Sequence, residues 1–339
     1  MPIPTAVAPP APGPGPAAFD AASIDVGHGH RLYYEQAGSP QGMPIVLLHG
    51  GPGSGSNPRQ RAFLDPARFR IVQYDQRGCG RSEPNGETAH NHTGALIGDI
   101  ERLRVHLGIE RWLVCGGSWG SSLALAYAGA HRACVSGLIL RGMFLTGGTD
   151  VDWFFGGAGA LAPEAHAQFL ALVPRRWRRR LLTFLQRSLN GSDAEKAARI
   201  AAAWQRYENA ISGPDVVMGN EARPLAPGSA ALCAKYRIQA HYLARDCFLG
   251  QRALLRTASE LRGLPVALAH GTLDRVCRPL NAWLVHRACA GSRLAWAQGA
   301  GHDPFHPSMQ LLLRDAANVF AEHGDFSRWP AERGGDAPA

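Results

Sequence analysis

The sequence predicts an α/β fold: an open, mostly parallel, doubly wound sheet interrupted by a helical insertion. Three observations carry this. Short apolar runs alternate with glycine-rich turns and helix-like stretches up to about residue 140. From about 145 to 250 the chain turns helical and rich in Ala, Trp and Arg, and strand rhythm then returns near 265 and 293.

In chain order, strands are expected over 31–35, 45–48, 70–74, 112–115 and 135–140. Between the third and fourth of these, Leu96, Ile100, Leu103 and Leu107 fall on one helical stripe over 93–107. A helix-like stretch covers 121–130. Beyond the insertion come strands over 265–269 and 293–297 and an amphipathic closing helix near 307–323. The expected layout is a tail over 1–20, a core over 21–144 and 251–328, a helical cap over 145–250 and a flexible tail over 329–339. The proline- and alanine-rich start lacks a basic n-region, and proline every few residues would break a signal helix, so it reads as a disordered tail.

Composition narrows the class. Of 339 residues 45% are apolar and 18% charged, enough apolar surface for a large core. The net charge of +8 comes almost wholly from arginine, since Lys196 and Lys235 are the only lysines. The one dense cluster, Arg175, Arg176, Arg178, Arg179 and Arg180 around Trp177, reads as a solvated face. No nucleic-acid module accompanies it, so no nucleic-acid partner is expected. Seven cysteines without a C-x-x-C pair argue against a disulfide framework and a zinc site. No apolar run approaches the roughly 20 residues that span a bilayer. The expectation is a cytoplasmic protein without a membrane partner, a metal or a cofactor; the oligomeric state is left open.

The chemistry centres on Gly116-Gly117-Ser118-Trp119-Gly120, where an apolar strand runs into glycines and a helix leaves them. A serine on such a turn is held with its hydroxyl above the sheet. A chain with 40 glycines contains this spacing by chance, so the partners decide. A serine needs a base to take its proton and an acid to orient that base. Asp274 follows the strand at 265–269, and His302 follows the strand at 293–297 in Gly299-Ala300-Gly301-His302. Ser118, Asp274 and His302 thus lie in the order Ser, Asp, His on three loops that follow strands. His306 is the rival base; Asp303 and Glu101 are the rival acids. Oxyanion donors are expected from the Trp119 amide at a helix N-terminus and from His49-Gly50-Gly51-Pro52-Gly53, with Gly51 the chosen donor. That glycine loop lacks the spacing and the lysine of a phosphate-binding P-loop.

With these pieces in place the chain resembles the proline iminopeptidase family, a serine-peptidase branch of the α/β-hydrolases. The resemblance rests on His49-Gly50-Gly51-Pro52-Gly53, Asp75-Gln76-Arg77-Gly78-Cys79-Gly80-Arg81-Ser82, Gly116 to Ser121, Leu140-Arg141-Gly142, Asp274 and Ala300-Gly301-His302. It implies an α/β-hydrolase core with a helical cap after the sixth core strand. Arg77 is expected to pair with a neighbouring carboxylate rather than to act in catalysis. The family releases an N-terminal proline, so it must recognise a free secondary amine. Its cap pattern Trp-x-x-Trp-Glu is similar to Trp204-Gln205-Arg206-Tyr207-Glu208, which nominates Glu208 as the amine anchor. A second family acid falls on Gln239 in Arg237-Ile238-Gln239-Ala240-His241-Tyr242, so an amide replaces it here. Gly50, Glu208 and Gln239 are the expected substrate-binding residues. Gly271-Thr272-Leu273-Asp274 stands where the family has Gly-Arg-Tyr-Asp. The expected function is a serine exopeptidase acting on small peptides or amides. The alternatives are a carboxylesterase or small-metabolite amide hydrolase, and a non-catalytic binding protein on this fold.

Overall fold

Eight strands form one sheet in a computed structural model that describes residues 15–212 and 225–330. They are β1 (Ala18–Gly27), β2 (His30–Gly38), β3 (Met43–Leu48), β4 (Phe69–Tyr74), β5 (Trp112–Gly117), β6 (Val135–Arg141), β7 (Val266–Gly271) and β8 (Arg293–Ala297), in the spatial order β1-β2-β4-β3-β5-β6-β7-β8. The β1–β2 and β2–β4 pairs are antiparallel, and every pair from β4 to β8 is parallel.

The parallel strands from β3 to β7 are buried on both faces, as continuous apolar runs require, while the edge strand β8 exposes Arg293 and Trp296. Alternation sorts their side chains: Val46, Leu48, Val114 and Leu138 enter one core, while Ile45, Leu47, Leu113 and Ile139 enter the other. The first core is covered by α1 (Thr93–His106), α2 (Trp119–Ala130), α8 (Gln251–Glu260) and α9 (Pro279–Ala288). The second is covered by α10 (Pro307–His323), through Met309, Leu313, Ala316 and Phe320. Between β6 and β7 lie α3 (Gly148–Phe155), α4 (Pro163–Ala171), α5 (Leu181–Leu189), α6 (Ala194–Ser212) and α7 (Ala230–Leu243). Stacked aromatics, among them Phe155, Phe169, Trp204 and Tyr207, hold these helices together.

Two boundaries differ from expectation. Residues 18–20, assigned to the N-terminal tail, begin β1. That strand buries only Ile24 and Val26, and residues 20–23 before them are small or polar, so no sustained apolar alternation announces it. Trp329, assigned to the flexible C-terminal tail, is buried, and its indole N–H donates to Leu312 O at 3.1 Å. Residues 1–14 and 331–339 of those two tails, and residues 213–224 of the expected cap, lie outside the described residues. The arginine cluster forms a short 3-10 turn, Arg175–Arg180, with all five guanidinium-bearing residues exposed.

The order reverses direction between β3 and β5, where the chain winds to opposite sides. In parallel sheets a ligand crevice forms there, beyond the carboxyl ends of the strands. His49, Ser118, Asp274 and His302 all follow the carboxyl ends of parallel strands, so topology alone brings them to one edge.

Candidate active site

Ser118 sits between β5 and α2 with φ 57° and ψ −125°, a conformation uncommon for a residue with a side chain. Close packing enforces it. A Cβ on Gly116 would lie 2.1 Å from Gly120 O, and one on Gly120 would lie 2.1 Å from Leu48 O. Only glycine lets β5, α2 and β3 approach this closely. The Ser118 amide donates to Arg141 O at 2.9 Å, fixing the turn to β6.

His302 Nδ1 stands 2.8 Å from Asp274 Oδ2. A carboxylate accepts only, so Nδ1 carries the proton and Nε2 is the basic nitrogen. Asp274 Oδ1 accepts the amides of Val276 at 3.0 Å and Cys277 at 2.9 Å. Burial works to raise the Asp274 carboxyl, but His302, His270 and the Cys277 amide outweigh it and hold it below the usual range. The rivals are occupied elsewhere. His306 caps α10 through Ser308, Glu101 binds Arg104 and Tyr127, and Asp303 Oδ1 accepts the Phe305 amide.

Ser118 and His302 line one and the same open cavity. The Ser118 hydroxyl lies 3.9 Å from Cys277 Sγ, and no Ser118–His302 hydrogen bond is present. Nucleophile–base contacts are often long without substrate and tighten on binding. Gly50 and Gly51 line the same cavity, and a Cβ on Gly50 would fall 3.2 Å from Ser118 Cβ. The glycine loop is clamped beneath. His49 Nδ1 donates to Gly50 O at 2.9 Å, Gln76 donates to His49 O at 2.9 Å, and Trp119 Nε1 donates to Gln76 Oε1 at 2.9 Å. The Trp119 side chain is thus buried and structural, while its backbone N–H opens α2, where the helix dipole favours negative charge.

On the cap side, Glu208 from α6 and Gln239 from α7 line the cavity. Tyr236 OH donates to Glu208 Oε2 at 2.7 Å, and Gln239 Nε2 lies 3.4 Å from Glu208 Oε1. Arg77 makes the carboxylate pair expected of it, with Asp99: Nε to Oδ2 at 2.6 Å and Nη2 to Oδ1 at 2.8 Å, fully buried.

Four further residues shape the site, of which only Arg141 fell within a segment that the sequence resemblance used. His270 is buried behind the acid, accepts the Met143 amide on Nδ1 at 3.2 Å and donates from Nε2 to Cys277 O at 2.9 Å. Burial lowers its pKa, with the Asp274 carboxylate opposing that shift. Arg141 Nη1 donates to His302 O at 2.8 Å and so holds the histidine loop; a charged residue ending an apolar strand before Gly142 was the available signal. Cys277 lies beside the serine, and burial pushes its thiol well above the usual range, so it stays protonated. Tyr236 is the partner of Glu208 just described.

A strained serine at a strand-to-helix turn, with acid and base on later strand ends of a parallel sheet, defines an α/β hydrolase. Residues 43–308 match the alpha/beta hydrolase fold family, to which the chain belongs. A proline iminopeptidase of Xylella fastidiosa is 41% identical over 308 residues, covering 89% of this chain and 96% of that protein. One of Arabidopsis thaliana is 38% identical over 300 residues, covering 87% and 78%. Within the hydrolases, the chain is a member of the proline iminopeptidase family. Among solved structures, an esterase of Rhodococcus sp. superposes with a TM-score of 0.57 at 21% identity, over 90% of this chain and 98% of that one, which speaks to the fold alone.

Proposed function

We propose that the protein is a serine exopeptidase that releases an N-terminal proline or small residue from peptides. The observation that carries this reading is the cavity that joins Ser118 and His302 to Glu208, in a chain 41% identical to a proline iminopeptidase. Glu208 anchors the free amine of the substrate through charge-assisted hydrogen bonds, placing the first carbonyl over Ser118. His302 Nε2 takes the hydroxyl proton, and Oγ attacks to form the tetrahedral intermediate. The Trp119 and Gly51 amides hold the oxyanion. His302 then passes its proton to the leaving nitrogen, giving the acyl-enzyme, and water releases the amino acid by the reverse sequence. Asp274 holds the imidazole tautomer and stabilises the imidazolium throughout.

Among the described residues no helix is long and apolar enough to cross a membrane, and all seven cysteines are unpaired. A reducing, cytoplasmic location belongs to the same reading.

The test compares chromogenic amides of free Pro, free Ala and N-blocked Pro with a short acyl ester. Free-amine amides are expected to be turned over fastest. Faster turnover of the blocked amide, or of the ester alone, would instead assign a carboxylesterase or general amidase. No labelling of Ser118 by a fluorophosphonate would assign a binding protein.

A further inference from the structure

Asp303 follows His302 directly and lines the same cavity as Ser118. It is 9% exposed. Its Oδ1 accepts the Phe305 amide at 2.9 Å, and among the described residues no cation pairs with it within 4 Å. The other buried carboxylates of the cavity region are met more fully. Asp274 has His302 and two amides, and Asp150 has Arg278, Asn281 and the Leu145 amide. A buried carboxylate held by a single amide is costly unless something else meets its charge, and in a cleft that pattern marks a functional group.

The cations whose charge reaches it are Arg141, His306 and Arg59, and each is engaged with another partner. Arg141 lies buried behind with Nη1 on His302 O, and His306 is engaged with Ser308. The Arg59 guanidinium rests 4.2 Å from the centre of the Phe305 ring. In the proposed reaction the acyl residue is fixed between Glu208 and Ser118, and His302 hands its proton to the departing nitrogen. The departing residue therefore passes the segment that carries His302 and Asp303.

We propose that Asp303 reads the charge of the residue after the scissile bond, favouring a cationic side chain there and disfavouring an acidic one. This rests on the exopeptidase reading, and the experiment separates the two.

The substrates are Pro-Lys-amide, Pro-Ala-amide and Pro-Glu-amide, whose amide caps remove the terminal carboxylate so that only side-chain charge differs. The wild type is expected to favour Lys over Glu by at least about tenfold in kcat/KM, with Ala between, and the ratio shrinks at high salt as screening predicts. Asp303→Asn brings the ratio to within about threefold of one while Pro-Ala-amide changes little, and Asp303→Glu keeps the preference. Asp303→Ser replaces the Asn variant if that does not fold. A wild-type ratio near one, or an unchanged ratio in the neutral variant, overturns the role of Asp303 and leaves the exopeptidase reading standing. Turnover of a short acyl ester with none of the three dipeptide amides overturns both.

Discussion

The carboxamide of Gln239 approaches Glu208 with Nε2 3.4 Å from Oε1, leaving Gln239 Oε1 buried with no hydrogen-bond partner among the described residues. Flipping the amide would set two acceptors against each other, so this orientation is the favourable one. Glu208, the proposed amine anchor, is thus a carboxylate already touched by two neutral donors, Tyr236 and Gln239. Glu208→Gln is expected to raise KM for a free-amine substrate about 10- to 100-fold, the worth of about 1.5–3 kcal/mol for a hydrogen bond to a charge. A blocked amine should be unaffected. Gln239→Glu should sharpen the preference for a free amine at neutral pH and lose that gain in acid, because adjacent carboxylates come to share a proton. Steady-state kinetics on the free and blocked amides check both.

Ser118→Ala should remove fluorophosphonate labelling and lower kcat by several orders of magnitude, with an unchanged melting temperature. Asp274→Asn should lower kcat on the order of 10⁴-fold, the loss seen when the orienting acid of a serine triad becomes an amide. Labelling of Asp274→Asn at the wild-type rate would show that His302 does not depend on it.

The elbow makes a packing prediction. Gly120→Ala places a methyl 2.1 Å from the Leu48 carbonyl, a backbone atom that cannot swing aside. Overpacking of this kind costs about 1–3 kcal/mol or more, so a lower thermal midpoint together with lost Ser118 labelling is expected. Gly98, half-buried on α1 with open space where a Cβ would stand, is the control: Gly98→Ala should be neutral or stabilising.

Arg77 and Asp99 form a bidentate pair out of water. Removing Asp99 strands the Arg77 charge, at about 3–5 kcal/mol, whereas Asp99 without Arg77 keeps one 3.3 Å contact to the exposed Arg102. Arg77→Leu and Asp99→Leu should each destabilise strongly in urea melts. The double variant should cost clearly less than their sum, since no charge of the pair is then left alone.

Acid sensitivity has a named contributor. Hydrogen bonds from Arg104, joined by one from Tyr127, outweigh partial burial and hold the Glu101 carboxyl at about 2 against an ordinary 4.5. The native state therefore binds that proton less readily than the unfolded chain. The stabilisation is complete above pH 4.5 and fades as pH falls toward 2. Glu101→Gln should lower the melting temperature at pH 7, and the gap to wild type should close over that window. A gap that persists at pH 2 would assign the loss to packing.

Much of the fold was legible because glycine-rich turns punctuate apolar runs: β3 to β8 and α10 lie where the pattern placed them, within two residues at each end. β1 was not, because an edge strand that buries two side chains needs no apolar alternation. α8 and α9 were missed for a related reason: α8 fully buries only Leu254 and Ala258, and α9 is short, with Asn281 buried on a polar network to Asp150.

The order Ser118, Asp274, His302 and the glycines that frame the serine are written in the chain, since each lies just past a strand that its own residues specify. Glu208 was nominated by a local cap pattern. What only tertiary structure decided is which side chains meet: His302 to Asp274 across 28 residues, Arg141 to the His302 carbonyl across 161, and Tyr236 and Gln239 to Glu208 from a different helix. It also decided that Asp303 is buried with one amide for company. Local pattern sets which face of an element is apolar. The partner of a buried charge depends on how distant elements pack, and no short stretch of sequence encodes that.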